Sequence, residues 1–286
     1  MKLTMENVMT GITGITGRNL LQEADNVIIL AGAGMSADLG VPTYWTGDDA
    51  KYANKESKYG FTSLEHSSAP LWETHPVQQS QYFQALYRQM LDQKLPDEAT
   101  NPYLILKNWL DTNGKNYFVV TSNVDTTFRR NSYEPSRLYE IHGAYDRSQC
   151  LLNPSAHGVF PTMAPHIAKT LCPQCQGIVR PNVLFFHDIW FNSEVHDKQE
   201  DLFFDFQDSI LSHKTVLLEI GVGLTVLNLR NITRKLYRRY DTPLVRVNPF
   251  HIAMGDHIAT GKSPIMEYKM TAADGVNFLL QQDQRT

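Results

Sequence analysis

Short apolar runs punctuate the chain, and the stretches between them carry apolar residues at helical spacing. Residues 27–30, 117–121, 214–220 and 243–247 are largely apolar, and each is followed closely by glycine or polar residues. Runs of that length with turn signals behind them read as strands buried on both faces, the pattern of a parallel sheet. Residues 138–142 read as a further short strand and 179–188 as an extended segment. Within 76–94, Phe83, Leu86, Met90 and Leu91 fall at helical spacing, a stripe best explained by core packing. Residues 101–113 predict a helix with Leu104, Leu106 and Trp109 inward and Asn113-Gly114 as its stop. Helices are also expected before residue 26, over 199–212, over 228–240 and at 274–280. Such alternation specifies an α/β fold with a doubly wound parallel sheet.

Two regions interrupt the alternation. Residues 46–75 mix Gly, Asp, Lys, Asn and Ser with Tyr and Phe, and read as a long loop suited to a lid over a ligand. Residues 145–178 hold all three cysteines. The expected organisation is one catalytic unit over 1–286, with a large Rossmann-like part at about 20–45, 96–144 and 179–286. A smaller domain is expected from two inserts, about 46–95 and the Cys-containing 145–178.

The candidate chemistry gathers where the predicted strands end. After the first run come Gly32, Ala33, Gly34, Ser36 and Ala37, which fit G-x-G-x-x-G/A. The first glycine allows a tight turn, the second lets backbone approach a pyrophosphate, and the small third residue lets the next helix pack on the sheet. A helix N-terminus there presents N–H groups to phosphate. Ser122, Asn123 and Asp125 follow the second run, and Gly221 and Gly223 follow 214–220. Open α/β sheets bind ligands at such strand ends.

The stretch Gly-Ala-Gly-Met-Ser-Ala-Asp-Leu-Gly-Val-Pro at 32–42 resembles the opening signature of the sirtuins, NAD-consuming protein deacylases and ADP-ribosyltransferases. Further matches follow in order. Thr121 to Asp125 is similar to the family's Thr-Gln-Asn-Ile-Asp, His142-Gly143 to its catalytic His-Gly, and 180–188 to its Arg-Pro-Asp-Val-Val-x-Phe-Gly-Glu. Gly221 to Leu224 stands where the family has Gly-Thr-Ser-Leu, and Val247-Asn248 where it has Ile-Asn. The resemblance implies that Asp125 holds the carboxamide of NAD, that Asn123 and Ser36 position the ribose, and that His142 is the general base. It also implies that Gly32, Ala33, Gly34 and Gly221 line the phosphates and that Asn248 contacts the adenosine ribose. On its own, His142 is one of ten histidines, and a structural role would be the better reading.

The chain also departs from the family pattern. Thr43-Tyr44-Trp45 replaces Asp-Phe-Arg, so Tyr44 keeps an aromatic ring beside the nicotinamide while the arginine is lost. Ser122 replaces Gln, Gly223 replaces Ser, and Phe186-His187-Asp188 puts an imidazole into the peptide groove. Lys58 to Thr62 and Glu219 to Gly223 are similar to diverged bacterial sirtuins of the macrodomain-linked group, associated with ADP-ribosylation, whereas His142 favours deacylation. Cys172 and Cys175 fit one half of a zinc site; Cys150 stands alone in the other half, so the three thiolates either recruit His157 as a fourth ligand or belong to a degraded, metal-free site.

Composition narrows the alternatives. Three cysteines argue against a disulfide framework and for a reducing, cytoplasmic setting. A formal charge of −4 gives no reason to expect nucleic acid. No run approaches the ~18 apolar residues of a membrane span. The basic cluster of Arg230, Arg234, Lys235, Arg238 and Arg239 reads as a solvated helix face. Gly255 to Ser263 misses a Walker phosphate loop by one residue and reads as a surface turn. A dehydrogenase is disfavoured, because no strand ends in Asp or Glu about 20 residues past the glycine turn. The expected function is NAD-dependent deacylation of an acylated protein. Mono-ADP-ribosylation of a protein acceptor is the alternative, and an NAD-binding regulatory module with little turnover stands third.

Overall fold

The structure is a computed structural model that describes residues 15–41, 56–92, 94–97, 99–162, 171–210, 214–223, 228–250 and 263–280. Six parallel strands form the central sheet: β1 (Asn26–Ala31), β2 (Asn116–Thr121), β3 (Leu138–Glu140), β7 (Thr215–Ile220), β8 (Leu244–Val247) and β9 (Ile265–Tyr268). Their order is β3-β2-β1-β7-β8-β9, so the chain winds outward from β1 in one direction and, after an excursion, from β7 in the other. This is the doubly wound 3-2-1-4-5-6 arrangement, with its switch point between β1 and β7.

Period-two alternation buries both faces. Val27, Ile29 and Ala31 pack with Val119, Leu218 and Val245 against helices Gly17–Glu23, Pro102–Thr112 and Ala272–Leu280. Ile28 and Leu30 pack with Phe118, Val120 and Leu217 against helices Glu194–Ser209 and Asn228–Tyr240. Three antiparallel strands make a second sheet in the order β5 (Val159–Pro161), β4 (Gly143–Cys150), β6 (Val179–Val183). The strand at 179–183, placed with the large part from sequence, therefore pairs with the cysteine-bearing strand instead.

Several expectations are corrected. The loop expected at 46–75 contains helices Ser63–His66 and Pro70–Thr74; the first starts on a Thr62/Glu65 capping box and the second on Pro70. Helices of four and five residues carry no periodicity to read. On Pro102–Thr112 the fully buried positions are Tyr103, Leu106 and Leu110, so the inward face is turned away from Leu104. The helix expected at 199–212 begins at Glu194, behind Asn192, whose Oδ1 accepts from the Glu194 N–H. Strands β5 and β9 are short and only part-buried, and the sequence pattern did not reveal them. Arg230 is buried, not solvated. Residues 42–55 and 251–262, which include Tyr44 and most of the near-Walker turn, lie outside the described residues.

The two halves of the sheet meet backbone to backbone at the switch point. Gly32 N–H donates to Ile220 O and Gly34 N–H to Gly221 O, both at 3.0 Å. A Cβ on Gly34 would sit 2.7 Å from Gly221 Cα, and one on Gly221 would sit 2.3 Å from Met35 N. Gly221 also has φ +63°, a left-handed conformation. Gly60 has φ +89° but open space around it. Gly60→Ala is expected to cost about 1–2 kcal/mol, from the backbone conformation alone. Gly221→Ala adds an unrelievable backbone clash and is expected to cost about 2 kcal/mol more. Denaturant unfolding of the two variants measures the difference, and equal losses would refute the interlock.

Candidate functional site: the switch-point cleft

The sequence-predicted residues converge on the carboxyl ends of the parallel strands. Gly32 to Ser36 follow β1, Ser122 to Asp125 follow β2, His142 follows β3, Gly221 and Gly223 follow β7, and Asn248 follows β8. Ala33 is exposed at the start of the short helix Gly34–Ala37.

At the centre lies a buried polar cluster. Ser36 Oγ donates to Asp125 Oδ2 at 2.5 Å and lies 2.5 Å from the Tyr103 hydroxyl. Since the serine proton is committed to the carboxylate, Tyr103 is the donor in that second bond. Asn123 Nδ2 donates to Gly32 O at 3.0 Å and faces Ser36 Oγ and Tyr103 OH, both at 3.3 Å. Asp125 Oδ1 accepts the Thr127 N–H at 2.9 Å. Burial, and then the Asp125 charge, hold the Tyr103 hydroxyl pKa well above its ordinary value, so Tyr103 stays a neutral donor. Tyr103 was missed from sequence as a polar residue of this site. Its one signal is its place directly after Asn101-Pro102, which cap the helix and aim its first turn at the cleft.

His142 stands in the turn between β3 and β4. Glu140, two residues earlier, is nearly fully buried and held by Arg129 at 2.9 Å, Arg147 at 2.6 Å and Gln199 at 3.2 Å. Ile141 N–H donates to Thr121 O at 2.9 Å, and Leu184 N–H donates to His142 O at 2.9 Å. Gly143, at φ +73°, packs so close to Asn182 that a Cβ would lie 2.0 Å from its carbonyl oxygen. The His142 ring sits 3.3 Å from Asn228 Nδ2. Burial pushes the His142 pKa below its ordinary value, with a hydrogen bond to the Ser122 backbone opposing and His196 assisting.

Two predicted positions are bound up inside the protein. Asn248 Nδ2 donates to Val222 O at 2.9 Å and its Oδ1 accepts the Phe250 N–H at 2.9 Å. Asp188 accepts from Arg180 Nη2 at 2.5 Å and from the Trp190 N–H at 3.0 Å, which ties down the 184–190 turn. His187 is exposed on that turn with φ +59°.

Away from the cleft, Cys150, His157, Cys172 and Cys175 bring their ligand atoms within 4.8 Å of one another. Cys150 and Cys175 sulfurs are 3.7 Å apart, and Cys172 Sγ is 3.3 Å from His157 Nδ1. Zinc–sulfur bonds of about 2.3 Å at tetrahedral angles set sulfurs about 3.8 Å apart, so this three-sulfur, one-nitrogen set fits zinc. Burial raises the Cys172 thiol pKa, but the Cys175 and Gln174 backbone and the Cys175 and Cys150 thiols outweigh it, leaving about 7.

Against known proteins, the Sir2 family profile matches residues 32–226. The chain belongs to the Sir2 family. It is 28% identical over 239 residues to a protein of Fusarium oxysporum f. sp. cubense described as a probable bifunctional ADP-ribose hydrolase/ADP-ribosyltransferase. That match covers 77% of this chain but only 39% of the fungal protein. It is 26% identical over 263 residues to an NAD-dependent protein deacylase Sir2 of Mycolicibacterium smegmatis, covering 89% of this chain and 95% of that one. In fold it is similar to the crystal structure of a Sir2 homolog–NAD complex, with TM-score 0.68 at 16% identity, over 92% of this chain and 91% of that one.

One zinc per chain is expected by metal analysis. Stripping it with a chelator is expected to lower the melting temperature, and His157→Ala should lose zinc to a chelator concentration that leaves the wild type loaded. A metal-free protein with unchanged melting would contradict the site.

Proposed function

We propose that this Sir2-family chain cleaves nicotinamide from NAD and transfers the ADP-ribose to the acyl oxygen of an acylated lysine on a protein, as the opening step of deacylation. The observation that carries this reading is His142. It is a part-buried histidine at a strand end, fixed by Glu140, Gly143 and Leu184, with its ring against the backbone one residue before Asn123. NAD supplies a ribose carbon that becomes open to attack as nicotinamide leaves. The chain's residues do the rest. Asp125 offers carboxylate acceptors for the carboxamide, and Asn123 and Ser36 orient the ribose. His142, kept neutral by burial, takes a proton from a ribose hydroxyl. Ala33 at a helix start, with Gly32, Gly34, Ser122, Gly221 and Gly223, lets backbone approach the phosphates. Asn248 shapes the adenosine side. The free cysteines, with no helix among the described residues long and apolar enough to cross a membrane, support a cytoplasmic setting.

A second reading, mono-ADP-ribosylation of a protein side chain, is favoured by His187. A non-glycine residue held left-handed and exposed, three residues past the Leu184 that bonds to His142 O, changes the surface that an acyl-lysine would cross. A regulatory NAD-binding module is the third reading.

Nicotinamide release separates them. With acyl-lysine peptides, release is expected to depend on the peptide and to fall by about 10²–10⁴ in His142→Ala, the usual worth of a general base. Because the neutral ring is the active form, kcat/KM should rise with pH through a pKa below the ordinary histidine value and then level off. Release only with unacylated protein would instead support ADP-ribosylation, and NAD binding without release would leave the module.

A further inference from the structure

Glu219, Arg246 and Glu267 stand side by side on β7, β8 and β9, in register. Arg246 Nε donates to Glu219 Oε1 at 2.6 Å, and its Nη1 donates to Glu267. From helix Asn228–Tyr240, Arg230 brings Nε to 3.4 Å from the same Glu219 oxygen. Its Nη2 donates to Val222 O at 3.0 Å. Glu219, Arg230 and Arg246 are buried to 1% exposure or less, and two cations face two carboxylates, so the group is neutral overall. Replacing such a buried network with apolar side chains is often neutral or stabilising, so stability alone does not explain it.

Its aim does. β7 carries Glu219 and then turns through Gly221, so one strand supplies both the carboxylate that holds Arg230 and the carbonyl that Arg230 holds. Asn248 donates to the same carbonyl at 2.9 Å. In a trans peptide the C=O and the next N–H point in opposite directions, and the described chain contains no cis bond. Two donors drawing Val222 O into the core therefore turn the Gly223 N–H outward. Among the described residues, chain neighbours aside, no heavy atom lies within 4 Å of where a Gly223 Cβ would be.

We propose that Arg230, anchored by Glu219, is a positioning residue that locks the 222–223 peptide so that the Gly223 N–H faces the pyrophosphate of the cofactor. The proposal rests on the NAD reading above. It also explains why an arginine sits buried on a helix whose Lys235, Arg238 and Arg239 are exposed.

The test uses the full chain. NAD and ADP-ribose binding are measured by calorimetry, and nicotinamide release by steady-state kinetics. The proteins are wild type, Arg230→Met, Arg230→Lys, the charge-balanced pair Glu219→Leu with Arg230→Met, and Arg234→Met as a control on the same helix. Arg230→Met and the paired variant are expected to bind NAD and ADP-ribose about tenfold more weakly, the worth of one charge-assisted hydrogen bond. KM for NAD should rise while kcat at saturation stays within about twofold, the signature of lost ground-state positioning. Arg230→Lys should recover part of the affinity, and Arg234→Met should match wild type. If the paired variant folds and binds both ligands with wild-type affinity, Arg230 is structural only and the proposal falls while the NAD reading stands. If the wild type binds neither ligand, both fall together.

Discussion

The crossing of two backbones at the centre of the sheet constrains everything else. Gly32 and Gly34 of the turn after β1 lie directly on Gly221 of the turn after β7, at separations that no side chain survives. Main-chain hydrogen bonds stitch the turns together. The contact falls where the strand order reverses, so the cleft opens at that point and the turns that line it cannot drift apart. At Gly32, Gly34 and Gly221 no side chain stands between the two turns, so main chain lies directly against main chain.

Around that crossing, two buried polar groups act as struts. One is the chain from Tyr103 through Ser36 to Asp125, with Asn123 bridging it to Gly32 O. The other is the Glu219–Arg230–Arg246–Glu267 network beneath the Gly221 turn. Burying such groups is costly unless they are satisfied, and once satisfied they fix geometry more tightly than apolar contacts do. The first holds the side chains that follow β1 and β2, and the second holds the Val222 carbonyl after β7. His142 sits on a third support, in which Glu140 is gripped by two arginines and Gln199. The cysteine–histidine cluster takes Cys150 from the end of β4, where that strand pairs with β6.

Much of this was legible in the sequence, for physical reasons. Strands buried on both faces need unbroken apolar runs, so β1, β2, β7 and β8 announced themselves. The glycine turn was legible because only glycine tolerates that approach. Two of the cysteine ligands were readable from the Cys172-x-x-Cys175 knuckle, Cys150 was the remaining cysteine, and His157 was named as an available fourth. What escaped was whatever depends on long-range contact. Tyr103 looks like a core aromatic until the fold puts its hydroxyl beside Ser36 from another element. Arg230 looks like one more cation on a basic helix until β7 places Glu219 beneath it. Edge strands such as β9, half-exposed and four residues long, leave too short a pattern to distinguish from a loop.

The most direct test of a cofactor site at the glycine crossing is hydrogen–deuterium exchange with and without saturating NAD. Slowed exchange is expected in the peptides that carry residues 32–36, 121–125 and 221–223. Protection confined to the opposite end of the sheet, in the cleft near Leu20, Thr215 and Pro243, would contradict the account, as would no protection at all.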